Sequence, residues 1–234
     1  MKKKIKKLEG QGLCNEVYKI NRNNKDLILR VFKKKHNISI NRKQEFIIQQ
    51  KAYEKTLASK PIHLDKKQTF MTCKYLKGIH KKSLSRKDIK VVAKALKKLH
   101  KIRHNKKPYS LKNEFKNYKK ILTDASSKKL IKKSIKLLKN QNQNDLVLCH
   151  NDLNKQNMIF NKNRVFFIDW EFASINNRYF DLATICIKYN LNKKKEKILL
   201  NSYFTNVKQK YHKSIKNYKI ICTNYWKLWF KANF

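Results

Sequence analysis

The apolar residues of this chain change their spacing once, near Tyr75–Gly78, and that change narrows the folds open to it. Before it, apolar runs are strand-sized. Val17-Tyr18-Lys19-Ile20 alternates, Asn21-Arg22-Asn23-Asn24 makes a polar turn, and Leu27-Ile28-Leu29-Arg30-Val31-Phe32 reads as the return strand. Ile62-His63-Leu64 and Phe70-Met71-Thr72-Cys73 predict a second hairpin around Asp65-Lys66-Lys67. Residues 1–10 read as a frayed or edge segment. One helix is predicted here, over 41–58, from the spacing of Phe46, Ile47, Gln50, Tyr53 and Leu57; Pro61 ends that stretch. After Gly78 helical spacing takes over. Ser85 is the expected N-cap for Ile89, Val92, Leu96 and Leu99, and two more amphipathic helices are predicted over 111–122 and 127–139. Strand signals return at Leu146–Cys149, Met158–Phe160 and Val165–Ile168, and helices fill the remainder. The fold class is therefore α+β, with a small antiparallel β-sheet lobe over 1–75 and a mostly helical lobe over 76–234.

With 234 residues the chain can bury a sizeable core, and no apolar run approaches the roughly 18 residues of a membrane span. Met1-Lys2-Lys3-Lys4 is followed by Lys6, Lys7 and Glu9 before any apolar stretch, so no signal peptide is read. Five scattered cysteines (14, 73, 149, 186, 222) with no CxxC pair fit a reduced cytoplasm. Lys and Arg number 59 against 15 Asp and Glu, a net charge of +44. The lysines are spread along the whole chain, and Lys, Asn and Ile are overused together, as AT-biased codons produce. Weak non-specific nucleic-acid adhesion follows from such charge; a specific nucleic-acid partner is not expected. A non-catalytic, basic RNA-associated protein is the alternative of another class.

Because acids are scarce, their placement is informative. In proportion, a 30-residue window holds about two acids and a charge near +6, yet residues 152–181 hold Asp152, Asp169, Glu171 and Asp181 against Lys155, Lys162, Arg164 and Arg178. That window is neutral, which points to a divalent metal or a general base. His150-Asn151-Asp152-Leu153-Asn154-Lys155-Gln156-Asn157 follows one apolar strand, and Phe166-Phe167-Ile168-Asp169-Trp170-Glu171 closes another. Asn157 and Asp169 supply hard oxygen donors of the kind Mg²⁺ takes alongside substrate phosphates, and Asp152 is left to accept a proton from an alcohol.

H-N-D-L-N-x-x-N followed by F-I-D-W-E resembles the catalytic loop and metal segment of the choline kinase, thiamine kinase and aminoglycoside phosphotransferase group, a small-molecule branch of the protein-kinase-like fold. The resemblance implies a two-lobed kinase fold, ATP and Mg²⁺, Asp152 as catalytic base, Asn157 and Asp169 on the metal, and His150 bracing the loop. Glu171 is implied beside the metal or one water away. Asp181, in Tyr179-Phe180-Asp181-Leu182-Ala183, resembles the buried aspartate that steadies the catalytic loop.

The first third agrees. Of three glycines, Gly10 and Gly12 fall in Glu9-Gly10-Gln11-Gly12-Leu13-Cys14-Asn15, where backbone N–H groups can approach phosphate, although an ordinary β-turn reads the same way. Arg30 stands where such kinases hold a phosphate-pairing cation, with Glu45 as its expected partner on the next helix and Glu54 as second choice. Phe70–Gly78 resembles the hinge that hydrogen-bonds adenine, with Met71 and Cys73 in it. The nucleotide set is thus Gly10, Gly12, Asn15, Arg30, Glu45, Met71 and Cys73. His100 and His104 have zinc-ligand spacing but lack the Glu of H-E-x-x-H. Trp226 and Trp229 read as core or as a platform for a cationic acceptor. The acceptor is expected to be a small cationic alcohol. Thiamine is favoured, because the interval from Gly78 to His150 is short and Lys188 stands where choline kinases place a Glu; choline or ethanolamine is the alternative.

Overall fold

A computed structural model of the chain describes residues 5–8, 15–33, 40–105, 107–139 and 142–234. Gly10 and Gly12 lie outside the described residues. The chain divides into two units, the first made of residues 1–82 and 155–172, the second of 83–154 and 173–234. The sequence-based boundary was a single cut after residue 75. Contacts instead group a later segment, 155–172, with the first unit.

The first unit is built on a five-stranded antiparallel sheet of β1 (Ile5–Lys7), β2 (Asn15–Arg22), β3 (Lys25–Phe32), β4 (Pro61–Leu64) and β5 (Phe70–Lys74), in the order β1-β2-β3-β5-β4. β2 and β3 are joined by Asn23 and Asn24, both at positive φ (51° and 57°), the geometry a tight hairpin needs and asparagine tolerates. Helix α1 (Arg42–Glu54) begins at Asn41, whose side chain accepts from the Gln44 N–H at 2.9 Å, and buries Ile48 and Ala52. The later segment supplies a second hairpin, β7 (Met158–Asn161) with β8 (Arg164–Phe167), tied to the rest by the Phe167 N–H donating to Leu57 O at 2.7 Å. At Gly78 a Cβ would stand 2.6 Å from the Phe160 carbonyl oxygen, so only glycine permits the exchange of backbone bonds between Ile79 and Phe160.

The second unit is helical: α2 (Arg86–Leu99), α3 (Leu111–Ile121), α4 (Ala125–Leu137), α5 (Tyr179–Lys188), α6 (Lys193–Tyr203) and α7 (Gln209–Asn233). Ser85 and Asp88 form a reciprocal capping box at the start of α2, and Ile89, Val92, Leu96 and Leu99, each 0 % exposed, are the apolar stripe the sequence marks. β6 (Leu146–Cys149) pairs with β9 (Ser174–Asn177), a strand absent from the sequence reading because Ile175 is its one apolar residue. Partner hydrogen bonds, not pattern, make it a strand. Among the described residues no helix is long and apolar enough to cross a membrane.

Candidate active site

In the first unit, β3, the start of α1 and the turn after β8 bring two arginines and three carboxylates together. Arg30 reaches from β3 to Glu45 on α1 through Nη1 and to Asp169 through Nη2. Arg42, three residues before Glu45 and hence on the same helix face, donates from Nη1 to Glu45 Oε2 at 2.7 Å and to Glu171 Oε2 at 2.9 Å. Asn15 completes the ring: its Nδ2 donates to Glu171 Oε2 at 3.0 Å, and its Oδ1 accepts from Arg42 Nη2 at 3.2 Å. Burial alone disfavours the Arg30 cation, but Glu45, Asp169 and Glu171 outweigh it and hold the pKa above the ordinary arginine value.

Two guanidinium groups against three carboxylates leave one negative charge over. The Asp169 side chain is the accessible member, 25 % exposed against 1 % for Glu45 and 5 % for Glu171. Asp169 follows β8 at φ 65°, a left-handed conformation that costs a non-glycine residue energy and that the surrounding contacts must impose. Asn157 is 6 % exposed, and its carbonyl accepts from the Ile168 N–H at 3.0 Å, which puts it alongside the chain just before Asp169. An amide and a carboxylate, with surplus negative charge, are a donor set that suits a hard divalent cation such as Mg²⁺.

Met71 and Cys73 are buried inside β5, opposite Arg30 and Ile28 of β3, with β4 on the other edge. The chain leaves that ladder after Lys74, where the Tyr75 N–H donates to Asp26 O at 3.1 Å. Glu54, second choice as the Arg30 partner, instead accepts from Gln50 on the exposed side of α1.

In the second unit the loop after β6 is held by a buried carboxylate. Asp181 of α5, 0 % exposed, accepts from the His150 N–H at 2.8 Å and from the Asn151 N–H at 2.9 Å, and His100 Nε2 lies 3.2 Å from Oδ2. His100 is oriented in turn by the Tyr203 hydroxyl, 2.7 Å from Nδ1. Asn151, at φ 65°, is fixed from both ends of its amide: Nδ2 donates to Ser174 Oγ and Oδ1 accepts from Asn176 Nδ2, both at 2.8 Å. His150 is fully buried, and its Nδ1 lies 3.4 Å from the Asp152 N–H. The Asp152 carboxylate is partly exposed and is met by Asn154 Nδ2 at 3.2 and 3.3 Å. A rigid frame thus presents a half-open carboxylate.

The sequence matches the model of the family described as choline/ethanolamine kinase over residues 5–231. The chain belongs to that family. Choline/ethanolamine kinase family members are small-molecule kinases, and this chain is one. It is 29% identical over 242 residues to the Protein LicA of Haemophilus influenzae, covering 94% of this chain and 71% of that one. Among solved structures, the choline kinase LicA from Streptococcus pneumoniae superposes with a TM-score of 0.82 at 23% identity (97% of this chain, 84% of that one). A choline/ethanolamine kinase family protein from Mesorhizobium loti gives 0.80 at 22% (97% and 78%). These likenesses establish the protein-kinase-like fold. The expectation that thiamine is the preferred acceptor finds no support, and the family match fits its choline/ethanolamine alternative better.

Arg42 and Tyr203 escaped the sequence reading, and Asn151 and His100, though named in it, were given no part in holding the β6 loop. Arg42 had a signal in Asn41-Arg42-Lys43-Gln44-Glu45, a cation one turn from the expected partner of Arg30. Nothing local distinguishes Tyr203 from the chain's other tyrosines. His100 lies with Cys149 and Asp181, with Cys149 Sγ 4.0 Å from its Nε2. Trp226 and Trp229 are each half-buried, and Lys188 Nζ lies 4.0 Å from the Trp226 ring centroid.

Proposed function

We propose that this family member transfers the γ-phosphoryl group of ATP to the hydroxyl of choline or ethanolamine. The observation that carries the reading is the family match over residues 5–231; within that span Asp152, Asn157 and Asp169 are assigned as the carboxylates and amide the reaction needs. Asp152 orients the acceptor hydroxyl and takes its proton as the oxygen attacks phosphorus, the step to which a positioned base contributes roughly 10²–10⁴-fold. Arg30, kept charged by its carboxylate neighbours, presents a guanidinium to nucleotide phosphate; Glu45 positions it, and Asn15 braces Arg42 and Glu171 beside it. The backbone around Met71 and Cys73 carries the strand from which the adenine-facing hinge departs. Asn157 and Asp169 are the residues to hold Mg²⁺, with Glu171 beside them. When bound, the ion neutralises phosphate charge. Asp181 and His150 keep the Asp152 loop rigid, so most of the rate gain comes from positioning and charge placement.

The experiment is ADP release with Mg-ATP against choline, ethanolamine and an uncharged alcohol. Turnover with choline or ethanolamine, lost on chelating Mg²⁺, is the expected result. ATP hydrolysis that none of the acceptors accelerates would remove the reading.

A further inference from the structure

The second unit contains seven acidic residues, and six have a visible task. Asp88 closes the capping box of α2. Asp124 caps α4 and pairs with Lys231 at 2.7 Å. Asp145 pairs with Arg178 at 3.2 Å, and Glu196 with Lys219. Asp181 holds the β6 loop, and Asp152 is the proposed base. Glu114 is the seventh. In a chain with 59 lysines and arginines, it has none within 4.0 Å among the described residues, although it is only partly exposed.

Its surroundings are phenols. Tyr118 stands four residues along α3 and so on the same helix face. It is 3 % exposed, and its hydroxyl has no hydrogen-bond partner within 3.5 Å. The Tyr225 hydroxyl of α7 lies 3.2 Å from that of Tyr109, and the Tyr225 ring packs against Phe115, Tyr118 and Phe180 with centroids 6.3, 6.2 and 5.8 Å apart. Burial raises the pKa of all three phenols, and the Glu114 charge adds to the rise in each; at Tyr225 the Asp152 charge adds again. Neutral rings, a buried hydroxyl and a carboxylate with no cation partner among the described residues together make surroundings that attract an ammonium group. The Trp226 face differs, because Lys188 already lies over it.

We propose that Glu114, backed by Tyr109, Tyr118 and Tyr225, is the carboxylate that recognises the positively charged end of the acceptor. It is then a specificity-determining residue within electrostatic reach of the same tyrosine as the Asp152 base. This rests on the choline/ethanolamine reading above. A first-turn glutamate also complements the helix dipole, but that role moves the melting temperature and leaves acceptor discrimination alone.

The test compares the full chain with Glu114→Gln, which removes the charge and keeps the shape, using choline and its uncharged carbon isostere 3,3-dimethylbutan-1-ol. The KM for choline should rise roughly tenfold, with kcat and the KM for ATP within about twofold and the isostere unaffected. Glu114→Asp should restore part of the discrimination. An unchanged choline KM, or an equal rise for both alcohols, overturns the proposal. Calorimetric titration with tetramethylammonium chloride, without ATP, separates it from the parent reading. Binding by the wild type that Glu114→Gln abolishes supports the ammonium site even if neither choline nor ethanolamine is phosphorylated, an outcome that sinks only the functional reading. No binding by the wild type, or equal binding by both, overturns the site.

Discussion

The first unit holds its buried polar groups as ions against ions, Arg30 and Arg42 facing Glu45 and Glu171, whereas the second fastens one buried carboxylate, Asp181, with two backbone N–H groups and an imidazole. The two devices do different work. An ionic ring keeps charged heads poised for a charged ligand, and it tolerates a surplus charge at its accessible member, Asp169. A carboxylate that accepts backbone donors immobilises the chain itself, which is what a loop presenting the proposed base requires. Buried ion pairs add little net stability against apolar replacements, yet breaking one side is costly because the other charge is left behind. Hydrogen bonds from backbone to a buried carboxylate have no such compensating replacement, since the N–H groups remain whatever the side chain becomes.

The contrast can be broken by mutation. The largest effect belongs to Asp152→Ala, which should lower kcat roughly a thousandfold while the protein melts with the wild type, because the frame from Asp181 does not pass through that carboxylate. Ordinary ATP-dependent turnover by this variant would remove the assignment of the base. Arg30→Met should cost about 3–5 kcal/mol in urea unfolding by leaving Glu45, Asp169 and Glu171 against Arg42 alone, and Arg30→Met with Glu45→Met, which restores the original surplus of one negative charge, should recover most of it. A double variant no better than the single one would show that the ring is not a closed ionic device. Asp181→Asn should cost less, about 1–3 kcal/mol, because one oxygen still accepts while an amide N–H is set against backbone donors. Its kcat should fall further than its KM for ATP rises, and the reverse split would separate Asp181 from the loop. The smallest effect concerns the thiols. Burial pushes Cys186 up to about 12 and raises Cys73, Cys149 and Cys222 as well, so at pH 8 about one in 10⁴ of the Cys186 groups is thiolate. Mass spectrometry after brief labelling at pH 8 should find these four unmodified in the native protein and modified in urea; fast native labelling of any one contradicts the burial assigned to it.

Legibility differed by kind of residue. Helix starts were readable where a cap is local chemistry: Ser85 with Asp88 satisfies end N–H groups from within four residues. The hairpin at Asn23-Asn24 was readable for the same reason. The Arg30–Glu45 pair followed from the family pattern, and Asp181 likewise. Strand β9 was not readable, because Ser174-Ile175-Asn176-Asn177 pairs only when β6 offers its edge. Arg42 was not singled out, because in a chain so rich in lysine a cation one turn from Glu45 stands out only once its two carboxylate partners are seen. The thiamine expectation rested on loop length and Lys188; Lys188 packs over Trp226, a contact no spacing rule reports.

The sequence alone determined the class of the protein, since periodicity, capping residues and the H-N-D-L-N and F-I-D-W-E segments are short-range features whose physics is complete within a few residues. Tertiary structure decided which distant groups share a charge. Asn15, Arg30, Arg42, Glu45, Asp169 and Glu171 form one ring, and Tyr118 of α3 packs its ring against Tyr225 across more than a hundred residues of chain. Electrostatic partnership depends on distance through space, and spacing along the chain encodes that distance only within a helix turn or a hairpin.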